Sequence, residues 1–384
     1  MDITELLAAA VQAGASDLHL KSGNAPMMRL HGKLCPIAEE NRLEPATLET
    51  MAAGLVPTGL HPRFARDHEV DLAHSVAGLG RFRCNVFRQR GTVAMVLRVI
   101  PIQVKSLDDL DLPPVLKTIA EEERGLILLT GTTGSGKSTT LAALIDHINH
   151  TRAAHVMTVE DPIEYLHQDV QSIINQREVH VDTRSFADAL RSALRQDPDV
   201  ILVGEMRDLE TVETGLTAAE TGHLVMSTVH TLDATETINR LVAVFPTHQH
   251  QQVRMQIASV LRAIVSQRLI PRIDETGRSA AVEVMVNTPF IRDCIVDPER
   301  THLIEGAIAA GTSQYGMQTF DQSIYGLYER GHVTRDMALR WASNPEEFKL
   351  RLQGVTATGD AAQSDMARAP SGSDEPPSVT RFGD

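Results

Sequence analysis

"GLILLTGTTGSGKSTTLAALIDHINH", residues 125–150, decides how the rest of the chain is read. An apolar strand runs into a glycine-rich turn, and a helix with buried-face periodicity starts where the glycines end. Gly131 to Ser138 satisfy G-x-x-x-x-G-K-[S/T], and each position has a task. Glycines let successive backbone N–H groups wrap phosphates, Lys137 brings a positive charge, and the Ser138 hydroxyl suits a Mg²⁺ shell. A helix N-terminus directly behind them favours an anion. The stretch implies a nucleoside triphosphate site with ATP and Mg²⁺ as ligands. Its binding residues are Gly131, Thr132, Thr133, Gly134, Ser135, Gly136, Lys137, Ser138 and Thr139, with Ser138 on the metal.

Downstream, "HVMTVE", "DVILVGE" and "HLVMSTVH" read as short apolar strands, alternating with helices near 185–195 and 208–220. That alternation predicts a largely parallel sheet covered on both faces, an α/β fold. Residues 247–270 and 300–340 read as helices of a C-terminal subdomain. Upstream, Asp2 caps a helix over 2–13, and "SDLHL" and "MMRLHGKL" read as short strands, the second turning at "HGK". A helix near 44–55 and the alternating strands "VDLAHSV", "GRFRCNVFRQR" and "VAMVLRVI" complete an α+β domain. The expected organisation is an N-terminal domain over 1–100, a proline-punctuated linker over 101–114 and an ATPase domain over 115–350. A tail over 351–384, rich in Gly, Pro and Ser, is expected to be disordered.

Composition narrows the function classes. The chain has 384 residues, and 50 acidic against 36 basic side chains give a net charge of −14, which argues against bulk affinity for nucleic acid. Aromatic residues make up 4%, too few for a base-stacking platform. Cys35, Cys84 and Cys294 stand far apart with no Cys-x-x-Cys, so neither a thiolate zinc site nor a disulfide scaffold is expected. The acidic N-terminus is no signal peptide, and no apolar run reaches the length of a spanning helix. The reading is cytoplasmic, without direct membrane insertion; any membrane contact runs through a partner.

A phosphate loop needs a second acidic strand for its metal. "DVILVGEMRD" is the candidate, yet its tip reads Gly204-Glu205, one carboxylate short of the usual pair. Glu205 then serves the metal through water or senses phosphate, and another group must activate the attacking water. "MTVEDPIEYLH", residues 157–167, supplies it: Glu160 and Asp161 close a strand at the ligand-binding edge, and Glu164 follows as general base. In "TGHLVMSTVHT", His223 and His230 bracket a strand and act separately, His230 at the carboxyl edge and His223 from the opposite end or across a subunit boundary.

Together, "GTTGSGKST", "TVEDPIEYLH", "RQDPDVILVGEMRD" and "AAETGHLVMSTVHT" resemble the secretion-type hexameric ATPases, and within them the type IV pilus retraction branch. The likeness runs from "MDITELL" to about residue 345. It implies a PAS-like N-terminal domain before a RecA-like P-loop ATPase domain with a helical C-terminal subdomain. Lys137 and Ser138 match the Walker A motif, Glu164 the catalytic glutamate of the Asp box, Glu205 the atypical Walker B, and His223 and His230 the His box. It also implies a homohexamer in which arginines of the first domain reach the nucleotide; Arg81, Arg83 and Arg98 are the candidates. The partners so implied are an inner-membrane pilus platform protein and, in an alternative, a paralogous ATPase. The location so implied is the inner face of the cytoplasmic membrane. Where the branch typically has "AIRNLI", this chain has "FIRDCI", Phe290 to Ile295, and it lacks the tetracysteine motif of the extension and secretion motors. An accessory paralogue and an extension or secretion motor are the alternative readings.

Overall fold

The computed structural model describes residues 2–30, 33–37, 42–100, 104–274 and 277–353. The expected "HGK" turn and most of the expected tail lie outside them. Contacts divide the chain into two compact units.

The first unit holds Met1–Lys105 together with Pro162–Val170. Helix α1 (Ile3–Gln12) starts at a capping box: Asp2 accepts from the helix, and Glu5 reaches back to the Asp2 N–H. Strands β1 (Asp17–Lys21), β2 (Met27–Leu30) and β3 (Lys33–Pro36) follow, then α2 (Pro45–Leu55). Helix α3 (His61–Asp67), which the sequence reading did not anticipate, leads to β4 (Glu69–Val76), β5 (Gly80–Gln89) and β6 (Thr92–Ile100). The strands form one antiparallel sheet in the order β3-β2-β1-β6-β5-β4. Alternation places Phe82, Cys84, Val86, Met95 and Leu97 in the core with Leu6, Leu7, Leu48 and Leu55 of α1 and α2.

The second unit holds Ser106–Asp161 and the chain from Gln171 onward. Part of the expected linker is built into it: Leu107 and Leu112 are buried in its core. Its elements are α4 (Val115–Ala120), β7 (Gly125–Thr130), α5 (Lys137–Thr151), β8 (His155–Glu160), β9 (Ile173–Glu178), α6 (Phe186–Ala193) and β10 (Val200–Val203). After them come α7 (Leu209–Glu220), β11 (Leu224–Val229), α8 (Ala234–Ala243), α9 (His250–Val260), β12 (Leu261–Pro271) and β13 (Arg278–Val286). The sheet order is β13-β12-β7-β11-β10-β8-β9, with every neighbouring pair parallel except β12 with β13. Strands β7, β10 and β11 are buried along their whole length because helices cover both faces.

The expected helix over 247–270 is corrected here. It stops at Val260, and β12 continues without a break to pair with β7. Val253, Ile257, Val260, Leu261 and Ile264 keep helical spacing across the junction, and no Gly or Pro marks it. Residues 263–267 of β12 are buried without in/out alternation, so the strand carries no clear period-2 signal of its own. Strands β9 and β13 also went unread. From Pro289 to Leu352 the chain is a set of short helices, closed by a smaller core around Phe320, Ile324, Leu327 and Phe348. Among the described residues no helix is long and apolar enough to cross a membrane.

Candidate nucleotide-binding site

Strand β7 delivers the chain to Gly131 at the carboxyl edge of the sheet, where the glycine is a steric requirement. Its φ is 137°, and a Cβ there would lie 2.5 Å from the Gln267 carbonyl oxygen and 2.5 Å from Ser135 Oγ. Gly131→Ala should therefore cost about 3 kcal/mol from strain and overlap, lowering the nucleotide-free Tm of the full chain by roughly 5–10 °C in calorimetry. A shift below about 2 °C would show that the loop relaxes at little cost.

Lys137 begins α5 and folds back over the loop. Its Nζ donates to the carbonyls of Gly131 at 2.7 Å and Thr132 at 3.1 Å, and the residue is 8% exposed. Behind it, Gln267 of β12 donates to Thr140 Oγ1 at 2.9 Å, and Arg278 of β13 reaches the Gly134 carbonyl at 3.5 Å. Ser135 Oγ is buried in the loop with no hydrogen-bond partner among the described residues. A positive charge, a cradle that would not admit a Cβ and an orphaned buried hydroxyl fit a bound polyphosphate.

Two strands away, the tip of β10 is crowded at the position of the missing acid. The Gly204 N–H donates to the Val159 carbonyl at 2.8 Å. A Cβ at Gly204 would stand 3.2 Å from the Phe186 ring and 3.3 Å from the Val159 carbonyl oxygen, so a side chain would have to displace its neighbours. The carboxylate on the adjacent strand end is Glu160, which accepts from Thr158 Oγ1 at 2.7 Å and Gln176 Nε2 at 3.1 Å.

Glu205 lies beyond the crowded position. Its Oε2 is 2.8 Å from Arg207 Nε and 3.6 Å from His230 Nε2, and Arg207 Nη2 is 3.4 Å from the same His230 nitrogen. Burial, then the charges of Lys137 and Arg207, hold His230 below the ordinary imidazole value, so the ring favours its neutral form. Lys137, Glu205, Arg207 and His230 thus share one field at the carboxyl edge. Among the described residues no group of three or more His, Cys, Asp or Glu side chains gathers as a metal cage.

The remaining candidates lie elsewhere. His223 precedes β11 at the opposite edge of the sheet, where its Nδ1 is 2.9 Å from the Ala218 carbonyl oxygen at the end of α7. Glu164 sits in Pro162–Val170, which groups with the first unit although β8 and β9 on either side belong to the second. Ile163 beside it is 3% exposed, and burial pushes His167 down to about 4; Glu164 between them is exposed. In the same unit, Arg83 of β5 faces Arg98 of β6 in register, and Arg98 faces Asp17 of β1. Arg98 Nε is 3.0 Å from Asp17 Oδ1. Burial opposes ionisation of Asp17, but hydrogen bonds from Ser16 and Arg98 outweigh it and hold the carboxyl below its ordinary value. Arg81 is half-buried on β5.

Sequence reasoning missed Arg207, Gln267 and Arg278. Arg207 stands two residues beyond Glu205 inside a motif already singled out. Gln267 and Arg278 lie on β12 and β13, where no strand was read, and no local signal pointed to either.

Comparison with known proteins shows the family of the chain. Residues 1–314 match the family described as "Type II/IV secretion system protein". The chain is 45% identical over 348 residues to the "Type IV pilus retractation ATPase PilT" of Pseudomonas aeruginosa, covering 91% of this chain and 100% of that one. It is 41% identical over 353 residues to the "Type IV pilus ATPase PilU" of the same organism, covering 92% of each. Among solved structures, the pilus retraction motor PilT with bound ADP superposes with a TM-score of 0.83 at 44% identity, covering 90% of this chain and 98% of that one.

Proposed function

The chain belongs to the type II/IV secretion system protein family, and from that premise we propose that it is an ATPase motor that drives type IV pilus retraction. The observation that carries the reading is the shared field of Lys137, Glu205, Arg207 and His230 beside the glycine loop. It occurs in a chain that matches a named retraction ATPase over that protein's full length.

In this reading, backbone N–H groups of Gly131–Gly136 and the Lys137 ammonium hold the β- and γ-phosphates of ATP. Ser138 would help hold Mg²⁺, which when bound would neutralise charge on the phosphate oxygens. Glu205, its carboxylate fixed by Arg207 and His230, would support that metal through water. Glu164 orients and deprotonates the attacking water. An arginine of the first unit, from among Arg81, Arg83 and Arg98, stabilises charge developing on the transferred phosphoryl group. Arg83 is favoured within this set because Arg81 is half-buried and Arg98, also exposed, is engaged with Asp17. His223, whose ring is held at the far edge of the sheet, acts on nucleotide across a subunit boundary.

The working assembly in this reading is a homohexamer. In it residues 1–100 form a PAS-like domain, and 115–350 form the ATPase domain. Sequential hydrolysis moves the units and turns an inner-membrane platform protein at the cytoplasmic face, so that pilin leaves the fibre base. The "FIRDCI" segment and the 41% identity to PilU favour an accessory paralogue as the second reading. Cells lacking the gene test both: abundant surface pili with loss of twitching motility are expected for the retraction motor. Bald cells would mean an extension motor, and unchanged pili with unchanged motility would transfer the assignment to the accessory reading.

A further inference from the structure

A buried carboxylate outside the phosphate site ties that site's histidine connection to the sheet. Glu283 lies on β13 opposite Ser266 of β12, 5% exposed, between the buried residues Val282 and Val284. Its Oε1 accepts the Ala234 N–H at 2.9 Å and the Ser266 hydroxyl at 3.2 Å. Burial pushes its pKa up to about 7, the neighbouring Asp233 adds to the rise, and Arg268 opposes it. A valine would fill such a strand position without the desolvation penalty of a carboxyl group. The position therefore needs an explanation other than packing.

The explanation lies in what Ala234 begins. It is the first residue of α8, four residues after His230, and the connection 230–234 has to set the imidazole beside Lys137 and Glu205. Other bonds in this connection are local: the Leu232 N–H donates to Glu236 at 2.7 Å, and the Thr231 and Thr237 hydroxyls meet at 2.6 Å. The Glu283 bond is different in kind, spanning 49 residues of sequence and ending on another strand. Strand β12 carries Ser266 against Glu283, and its next residue, Gln267, presents the carbonyl that crowds Gly131. One strand thus registers both the phosphate loop and the His230 connection.

We propose that Glu283 is a positioning residue that holds His230 in register with Lys137 through the Ala234 N–H and β12. It rests on the reading of this site as one that hydrolyses ATP. Three variants of the full-length protein test it: Glu283→Ala, Glu283→Gln and Glu283→Ala combined with His230→Ala, each compared with His230→Ala alone. Glu283→Ala is expected to lower kcat about tenfold while the affinity for a fluorescent ADP analogue stays within about twofold of wild type, the split that a misplaced transition-state group produces. In nucleotide-free protein, amide exchange across residues 230–237 should speed up about tenfold. Gln keeps a carbonyl acceptor for Ala234, so Glu283→Gln should bring kcat back to within about threefold of wild type and restore slow exchange. In the His230→Ala background, Glu283→Ala should cost less than about twofold more, because residues acting through one group do not add.

Full multiplication of the two losses would overturn the proposal, as would a Glu283→Gln protein that folds but stays as slow as Glu283→Ala. A wild-type chain that binds ADP without hydrolysing ATP would instead overturn the enzymatic reading, and the proposal with it. If Glu283→Ala does not fold, Glu283→Gln and Ser266→Ala decide: faster exchange over 230–237 and a lower kcat in Ser266→Ala, with slow exchange and near-wild-type kcat in Glu283→Gln, supports the link through β12, and a Ser266→Ala protein indistinguishable from wild type would overturn it. Faster exchange in Glu283→Gln would overturn it.

Discussion

Glu164→Gln is expected to stop ATP turnover, lowering kcat by about 10²- to 10⁴-fold, the usual contribution of a general base. The affinity for ADP should stay within about twofold, because the amide removes a proton acceptor without changing volume. The fold should tolerate the change. Glu164 is exposed, while the residues that anchor its segment, Ile163 and His167, are left in place. Phosphate release from the purified protein, beside binding of a fluorescent ADP analogue, reads both quantities. A kcat within tenfold of wild type would remove Glu164 from the chemistry and turn attention to Glu160 and Glu205, the carboxylates at the strand ends.

Lys137→Ala should be as severe by a different route. The ammonium makes two bonds to the loop's own carbonyls and contributes to the field at His230. Its loss removes a charge-assisted partner of the phosphates worth about 1.5–3 kcal/mol, so nucleotide affinity should fall about 10- to 100-fold. Turnover should fall further than affinity, by about 10²-fold or more at saturating ATP, because the same charge faces the transition state. The pairing of results separates the two roles: Glu164→Gln spares binding and Lys137→Ala does not. Unchanged ADP affinity in Lys137→Ala would contradict the cradle as built here.

These two residues were legible to different depths in the chain. Lys137 needs only a strand, a glycine loop and a helix in immediate succession, and each is a local demand of backbone geometry and charge. The capped first helix, the strand before the loop and the atypical Gly204-Glu205 tip follow the same logic. Gly204 shows where that logic ends. The sequence presents a missing acid, whereas only the fold shows that a side chain there would start within 3.3 Å of a neighbour's carbonyl and a phenyl ring.

Glu164 shows a second limit. Its motif and its place after β8 are written in the order of residues, but the grouping of Pro162–Val170 with the first unit follows from long-range packing. Strand β12 is a third case. Val260 and Leu261 continue one apolar periodicity, and nothing between them signals that the backbone changes from helix to strand. The change is imposed by pairing with β7, a partner more than 130 residues earlier in the chain. Once β12 is in the sheet, Gln267 comes to lie against Gly131 and Ser266 against Glu283. Motifs confined to a turn, a cap or one helix end were already determined by their own residues, since short-range sterics and charge suffice for them. The partners of those motifs across the sheet were settled by the fold, because burial and strand pairing reward contacts that no local stretch of sequence encodes.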